Sequence, residues 1–384
     1  MNPHLSQLHP YPFEKLAELK HGITPPADKS PIVLSIGEPA HATPAFIKET
    51  LVSQLQGLSN YPTTKGILPL RQAIADWIAR RFSVSVNAET QVLPVSGTRE
   101  ALFSFAQCVI DATIKPVVIM PNPFYQIYEG AALLAGAEPY FLNTTEATDY
   151  LPDFDNVPEA IWQRCQLIYV CSPANPSGAV MSSADYAKLL QLAERYDFVI
   201  ASDECYSELY DDERNPPVGL LEVAQQRSNA PGLRSGFVAG DAEILQHYFQ
   251  YRTYQGCAMP LPTQYASIRA WQDEAHVIEN RRLYREKFAA FIDILADVCE
   301  IKKPAASFYV WLKIPARLAM TDTEFTKQLF AEQNVTVLAG SFLSRDFNGI
   351  NPGLNHVRIA LVAPLLDCIE AANRIKNFLN HLNK

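Results

Sequence analysis

The chain has 384 residues, 48% of them hydrophobic, which is enough to bury the core of a two-domain enzyme and too much for a small binding module. Its formal net charge of -9 disfavours a surface built to neutralise phosphates, so nucleic acid is not an expected partner. No apolar run approaches the ~18 to 20 residues that cross a bilayer, so no membrane association is expected. The opening MNPHLSQLHPYPF has neither the basic nor the apolar stretch of a secretory signal, which makes the cytoplasm the expected compartment.

In chain order, the Pro-rich start, YPFEKL then GITPP, reads as an arm rather than a core element. Apolar, β-branched runs follow at 91–95 (QVLPV), 116–120 (PVVIM), 167–171 (LIYVC) and 198–202 (FVIAS). Between them, 99–110, 126–136 and 183–196 have helical spacing. Strands buried on both faces and separated by helices predict an α/β fold around a mostly parallel sheet. After Met259 the pattern changes to a long polar helix from Asp273 to Val298 and shorter strands at 307–314 and 356–362, which predicts a smaller α+β domain. The expected division is 1–44 for the arm and part of the small domain, 45–270 for a large domain and 271–384 for the rest of the small one. The seven cysteines are scattered, odd in number and lack CxxC spacing; they read as reduced thiols, and no metal site is expected.

Ligands of open parallel sheets gather at the carboxyl ends of strands. Three such places carry polar residues. Ser96-Gly97-Thr98-Arg99 follows the first run and opens a helix, where N–H groups suit an anion, although Ser-Gly-Thr is equally an ordinary N-cap. Asn175-Pro176-Ser177-Gly178 follows the third run and alone reads as a turn. Asp203-Glu204-Cys205-Tyr206 follows the fourth, with Asp203 as much a helix cap as a ligand. Two later arginines complete the series, Arg234 in Pro231-Gly232-Leu233-Arg234-Ser235-Gly236 and Arg358 inside the apolar run His356-Val357-Arg358-Ile359-Ala360.

This ordered series, from Leu34-Ser35-Ile36-Gly37-Glu38-Pro39 to about Leu361, resembles the class I/II, fold-type I aminotransferases. The phrase from Arg227 to Asp241 is most similar to the N-succinyldiaminopimelate aminotransferases of lysine biosynthesis. The resemblance implies pyridoxal 5'-phosphate as cofactor and amino and keto acids as substrates, with glutamate as amino donor and N-succinyl-2-amino-6-ketopimelate as acceptor. Aspartate, alanine or aromatic substrates are the alternatives within the class, and a non-catalytic relative is the alternative outside it.

The resemblance also implies roles. Asp203 pairs with the pyridine nitrogen, Asn175 and Tyr206 bond the phenolic oxygen, and Gly97, Thr98 and Arg234 hold the phosphate. Tyr125 stacks on the ring, with Phe124 as competitor. Arg358 takes the substrate α-carboxylate, helped by the backbone at Gly37. Tyr61 reaches a neighbouring subunit's phosphate, which implies a homodimer with shared active sites.

One departure stands against this pattern. The family's cofactor lysine lies eight residues before the arginine matched by Arg234, and that position here is Gln226. No lysine occurs between Lys188 and Lys287. The apolar strand expected ahead of it is missing as well, because LLEVAQQRSN runs from a helix straight into the later phrase, so roughly a dozen residues are expected to be absent.

Overall fold

The computed structural model of the chain describes residues 1–224 and 236–382. Its first half runs α1 (Pro12–Lys20), β1 (Ile32–Val33), α2 (Ala45–Ser53), α3 (Leu68–Phe82), β2 (Val92–Val95), α4 (Thr98–Val109), β3 (Val117–Asn122), α5 (Ile127–Leu134), β4 (Glu138–Asn143) and α6 (Glu159–Trp162). There follow β5 (Cys165–Cys171), α7 (Ser183–Tyr196), β6 (Val199–Asp203), α8 (Leu220–Ala224), β7 (Gly236–Ala239), α9 (Ala242–Gln255), α10 (Leu261–Gln272) and α11 (Ala275–Leu295). The last elements are β8 (Tyr309–Lys313), α12 (Asp322–Gln333), β9 (Val335–Thr336), β10 (Leu338–Ala339), β11 (His356–Ala360) and α13 (Leu365–His381).

Four strands form a parallel sheet in the order β4-β3-β5-β6. Alternation along β3 shows why these runs are apolar throughout. Val118 and Met120 pack with α4 and α5 on one face, whereas Val117 and Ile119 pack with Tyr186 and Leu189 of α7 on the other. β2 and β7 form a separate antiparallel pair, and among the described residues no strand is hydrogen-bonded to the outer edge of β6.

A second core lies on the other side of the carboxyl ends. β10, β11 and β8 make an antiparallel sheet, and β1 pairs with β9 in parallel. Ile32 and Leu34 from the start of the chain join Phe291, Val310, Leu312, Phe325, Ile359 and Phe378 in one cluster, so chain ends far apart in sequence share a core. Each such fully buried side chain contributes about 1.5–3 kcal/mol.

The structure changes two readings and keeps a third. The opening YPFEKL is the first turn of α1, because Pro12 suits a first helical position and the Glu14 carboxylate accepts from the Tyr11 N–H at 3.0 Å. Leu16 of that helix is buried against Leu338 and Leu343. The long helix expected from 273 to 298 is α11, which starts at Ala275, just after Asp273 Oδ2 accepts from the His276 N–H at 3.0 Å, and ends at Leu295. β4 is an addition; its sequence EPYFLN starts exposed and holds a proline, which an edge strand tolerates.

Candidate active site

The carboxyl ends of β2, β5 and β6 and the facing edge of the β8–β11 sheet enclose a cavity of about 820 Å³. Gly37, Gly97, Thr98, Tyr125, Asn175, Asp203, Tyr206 and Arg358 all line it. Residues from opposite ends of the chain are thus brought together by the two sheets.

At the floor is Asp203, the last residue of β6 and buried. It does not cap a helix. Its Oδ2 accepts from the Tyr128 hydroxyl at 2.6 Å and its Oδ1 from the Cys205 N–H at 3.3 Å. Burial pushes its pKa upward, against these hydrogen bonds, because none of its donors carries a charge to compensate for the lost water.

Gly97 stands at the N-cap of α4 with φ of 116°, a conformation that side chains disfavour, and no side chain caps this helix start. The first N–H groups of α4 therefore lie open beside the cavity, as an anion requires. The Thr98 hydroxyl contacts Cys205 Sγ at 3.2 Å.

On the other wall, Arg358 of β11 is buried, with Nη1 donating to Asn175 Oδ1 at 2.9 Å and Nη2 to the Ser35 carbonyl at 2.8 Å. Its guanidinium lies 4.4 Å from the Tyr309 ring centre, and its Nε has no hydrogen-bond partner among the described residues. Because Asn175 uses its oxygen on Arg358, its amide N–H groups remain as donors. The Tyr206 hydroxyl lies 3.3 Å from that of Tyr309. Gly37 is required by close approach, since an added Cβ would sit 2.0 Å from the Tyr309 hydroxyl.

Of the two aromatic candidates, Tyr125 lines the cavity and Phe124 is buried in the core beneath it. Tyr61 does not line this cavity; its side chain is fully exposed at 101%. Arg234 and Gln226 lie outside the described residues. The buried Tyr128 that bonds Asp203 was not singled out from sequence, nor were the lining residues Tyr309, Glu38 and Arg99, whose guanidinium stacks over Tyr11 at 5.1 Å and makes no hydrogen bond or ion pair with any described residue. Arg99 follows Thr98 directly, so its neighbourhood was the one available signal.

These parts fit pyridoxal phosphate at its ring and phosphate. A buried carboxylate without a cationic partner suits a protonated ring nitrogen, and an uncapped helix start suits the phosphate. They do not fit covalent attachment, because none of the described residues lining the cavity is a lysine.

The comparisons agree with this chemistry. Residues 29–365 match the family model for aminotransferase class I and II, and the chain belongs to that family of pyridoxal-phosphate-dependent transaminases. It is similar to the LL-diaminopimelate aminotransferase of Nitratidesulfovibrio vulgaris, with 31% identity covering 97% of each chain. That alignment spans 392 positions, more than this chain's 384, so it opens gaps on this side. The crystal structure of an aminotransferase from Neisseria meningitidis Z2491 superposes with a TM-score of 0.94 at 46% identity, covering 98% of this chain and all of that one. A probable N-succinyldiaminopimelate aminotransferase from Thermus thermophilus, at 24% identity and a TM-score of 0.84, shares the fold.

Proposed function

We propose that the site is built for the amino and keto acids of the diaminopimelate skeleton, with glutamate as amino donor and N-succinyl-2-amino-6-ketopimelate as acceptor, turnover itself requiring a Schiff-base lysine that the sequence lacks between Lys188 and Lys287. The observation that carries this reading is the pair of cavity guanidiniums. Arg358 is fixed at the junction of the two sheets, where an α-carboxylate is held next to the cofactor, and Arg99 is left without an anion among the described residues. A substrate with a second, distal carboxylate uses both.

When bound, pyridoxal phosphate supplies the electron sink that lets the substrate Cα–H proton leave. Asp203 keeps the ring nitrogen protonated, while Asn175 and Tyr206 donate to the phenolic oxygen. Gly97 and Thr98, with Arg234, hold the phosphate, and Tyr125 lies against the ring. Gly37 and Arg358 orient the α-carboxylate. Tyr61, exposed here, completes the phosphate site of a second copy in a homodimer.

A second reading, the free diaminopimelate skeleton, is favoured by Glu38, an exposed acid in the same cavity that forms no ion pair among the described residues and would suit a distal ammonium. The names of the curated relatives point the same way. Equilibrium binding to the cofactor-loaded protein separates the readings. The succinylated keto acid should lose about tenfold or more in affinity on Arg99→Ala, with pyruvate unaffected. Equal loss for both ligands would remove Arg99 from substrate recognition, and selective loss of free diaminopimelate on Glu38→Gln would favour the second reading.

A further inference from the structure

Residues 36–43 form an irregular segment between β1 and α2 that contributes Ile36, Gly37, Glu38 and Pro39 to the cavity wall. Among the described residues no backbone–backbone hydrogen bond ties this segment down, and its only hydrogen bonds are the two made by one side chain, the ring of His41. His41 Nδ1 lies 3.1 Å from Asn280 Oδ1, and His41 Nε2 lies 2.7 Å from Lys287 Nζ. The ring also packs 4.8 Å from that of Tyr284.

These two contacts settle the protonation of the ring. An amide oxygen can only accept, so Nδ1 carries the hydrogen and donates to Asn280. Nε2 is then the lone-pair nitrogen and accepts from the Lys287 ammonium. A nitrogen–nitrogen contact of this length holds one proton, and a second would set two cations against each other. Lys287 is buried, donates also to the Val362 carbonyl at 3.3 Å, and has no carboxylate within ion-pair distance among the described residues. Nothing described beside it would absorb the added charge.

We propose that His41 is a positioning residue, a clasp that holds the carboxylate-binding segment 36–43 against α11 when neutral and releases it on protonation. The groups facing it are Glu279, Asn280, Tyr284 and Lys287 of α11, with Cys368 of α13 behind Lys287. Glu279 is the one acid among the described residues that acts on the ring, and it is exposed and engaged by Arg282. Burial and the Lys287 charge hold the docked ring's pKa below the ordinary histidine value. Docking is therefore at full strength above about pH 6.5, where a released ring is also neutral, and is lost progressively as pH falls from there through the lowered value.

This inference rests on the reading that Gly37 and Arg358 hold the substrate carboxylate, and its test separates the two. On the pyridoxal-phosphate-loaded protein, the dissociation constant for 2-oxoglutarate should rise about fivefold or more between pH 7.5 and pH 5.5. In His41→Gln, whose amide oxygen accepts from Lys287 but does not titrate, it should change by less than about twofold over the same range. An equal rise in both proteins, or none in the wild type, overturns the clasp. If 2-oxoglutarate binds at no pH, the carboxylate reading falls, and histidine ¹⁵N NMR decides the clasp by itself. A His41 ring that is neutral with its hydrogen on Nδ1, and whose pKa rises towards the ordinary value in Lys287→Met, sustains it; an ordinary titration unchanged by Lys287→Met refutes it.

Discussion

The hydroxyl of Tyr128, on the first turn of α5, points its hydrogen at Oδ2 of Asp203, on the last residue of β6, across 2.6 Å of buried interior. This bond helps keep ionised a carboxylate that burial would otherwise neutralise. Tyr128→Phe should raise the Asp203 pKa further and weaken pyridoxal phosphate binding by about 1–2 kcal/mol. Cofactor affinity should be present above the raised Asp203 value and lost as pH falls through it, beginning above the ordinary carboxylate range. Fluorescence titration of the cofactor across pH measures both, and an affinity flat down to pH 4 in both proteins would remove Asp203 as the ring's partner.

Asp203→Asn should separate stability from binding. The substitution removes a buried charge that no described cation balances in the cofactor-free protein, so the thermal midpoint should hold or rise. Cofactor affinity should fall by about tenfold or more, because an amide cannot balance a protonated ring nitrogen. A lower midpoint together with unchanged affinity would make Asp203 a structural residue.

At Gly37 the constraint is steric. A Cβ there meets the Tyr309 hydroxyl at 2.0 Å and Phe308 at 2.9 Å, so Gly37→Ala must displace the segment or the ring. The 2-oxoglutarate affinity should drop by about tenfold while the fold, judged by circular dichroism, stays intact. Tyr309→Phe removes the nearest clashing atom and should restore part of that affinity. Strict additivity of the two changes would show that the ring and the glycine do not communicate.

Much of this architecture was legible in the sequence because the central strands are buried on both faces and therefore read as unbroken apolar runs. β2, β3, β5 and β6 are of this kind. β4 was not, since Glu138 and Pro139 open it on an exposed edge. The polar residues at strand ends were visible as candidates, and Gly97, Asn175, Asp203 and Arg358 do share one cavity. Tyr128 and His41 were invisible as site residues for a physical reason. Each acts through a partner distant in sequence, namely Asp203 and Lys287, and no local spacing encodes such pairs.

Catalysis by this family needs an amine, and none of the described residues lining the cavity supplies one. There is no lysine between Lys188 and Lys287, and the described cavity wall has none either. Gln226, eight residues before Arg234, has an amide that forms no covalent bond with an aldehyde and does not shuttle a proton at neutral pH. The fold bears on the same point. The outer edge of β6 is unpaired among the described residues, and just beyond it the buried Glu204 has one carboxylate oxygen without a described partner, with burial pushing its pKa up to about 7. An added strand would cover that edge. The chain as it stands should therefore bind pyridoxal phosphate reversibly through Asp203, Asn175 and the start of α4. Borohydride should fix no cofactor to it, dialysis should remove what is bound, and glutamate should yield no 2-oxoglutarate catalytically. A version carrying one more strand and a lysine before Arg227 should retain cofactor covalently after borohydride and turn over. Mass spectrometry of both proteins after reduction decides the matter, and a borohydride-stable adduct on the unmodified chain would show that another amine, which the digest would locate, takes the lysine's place.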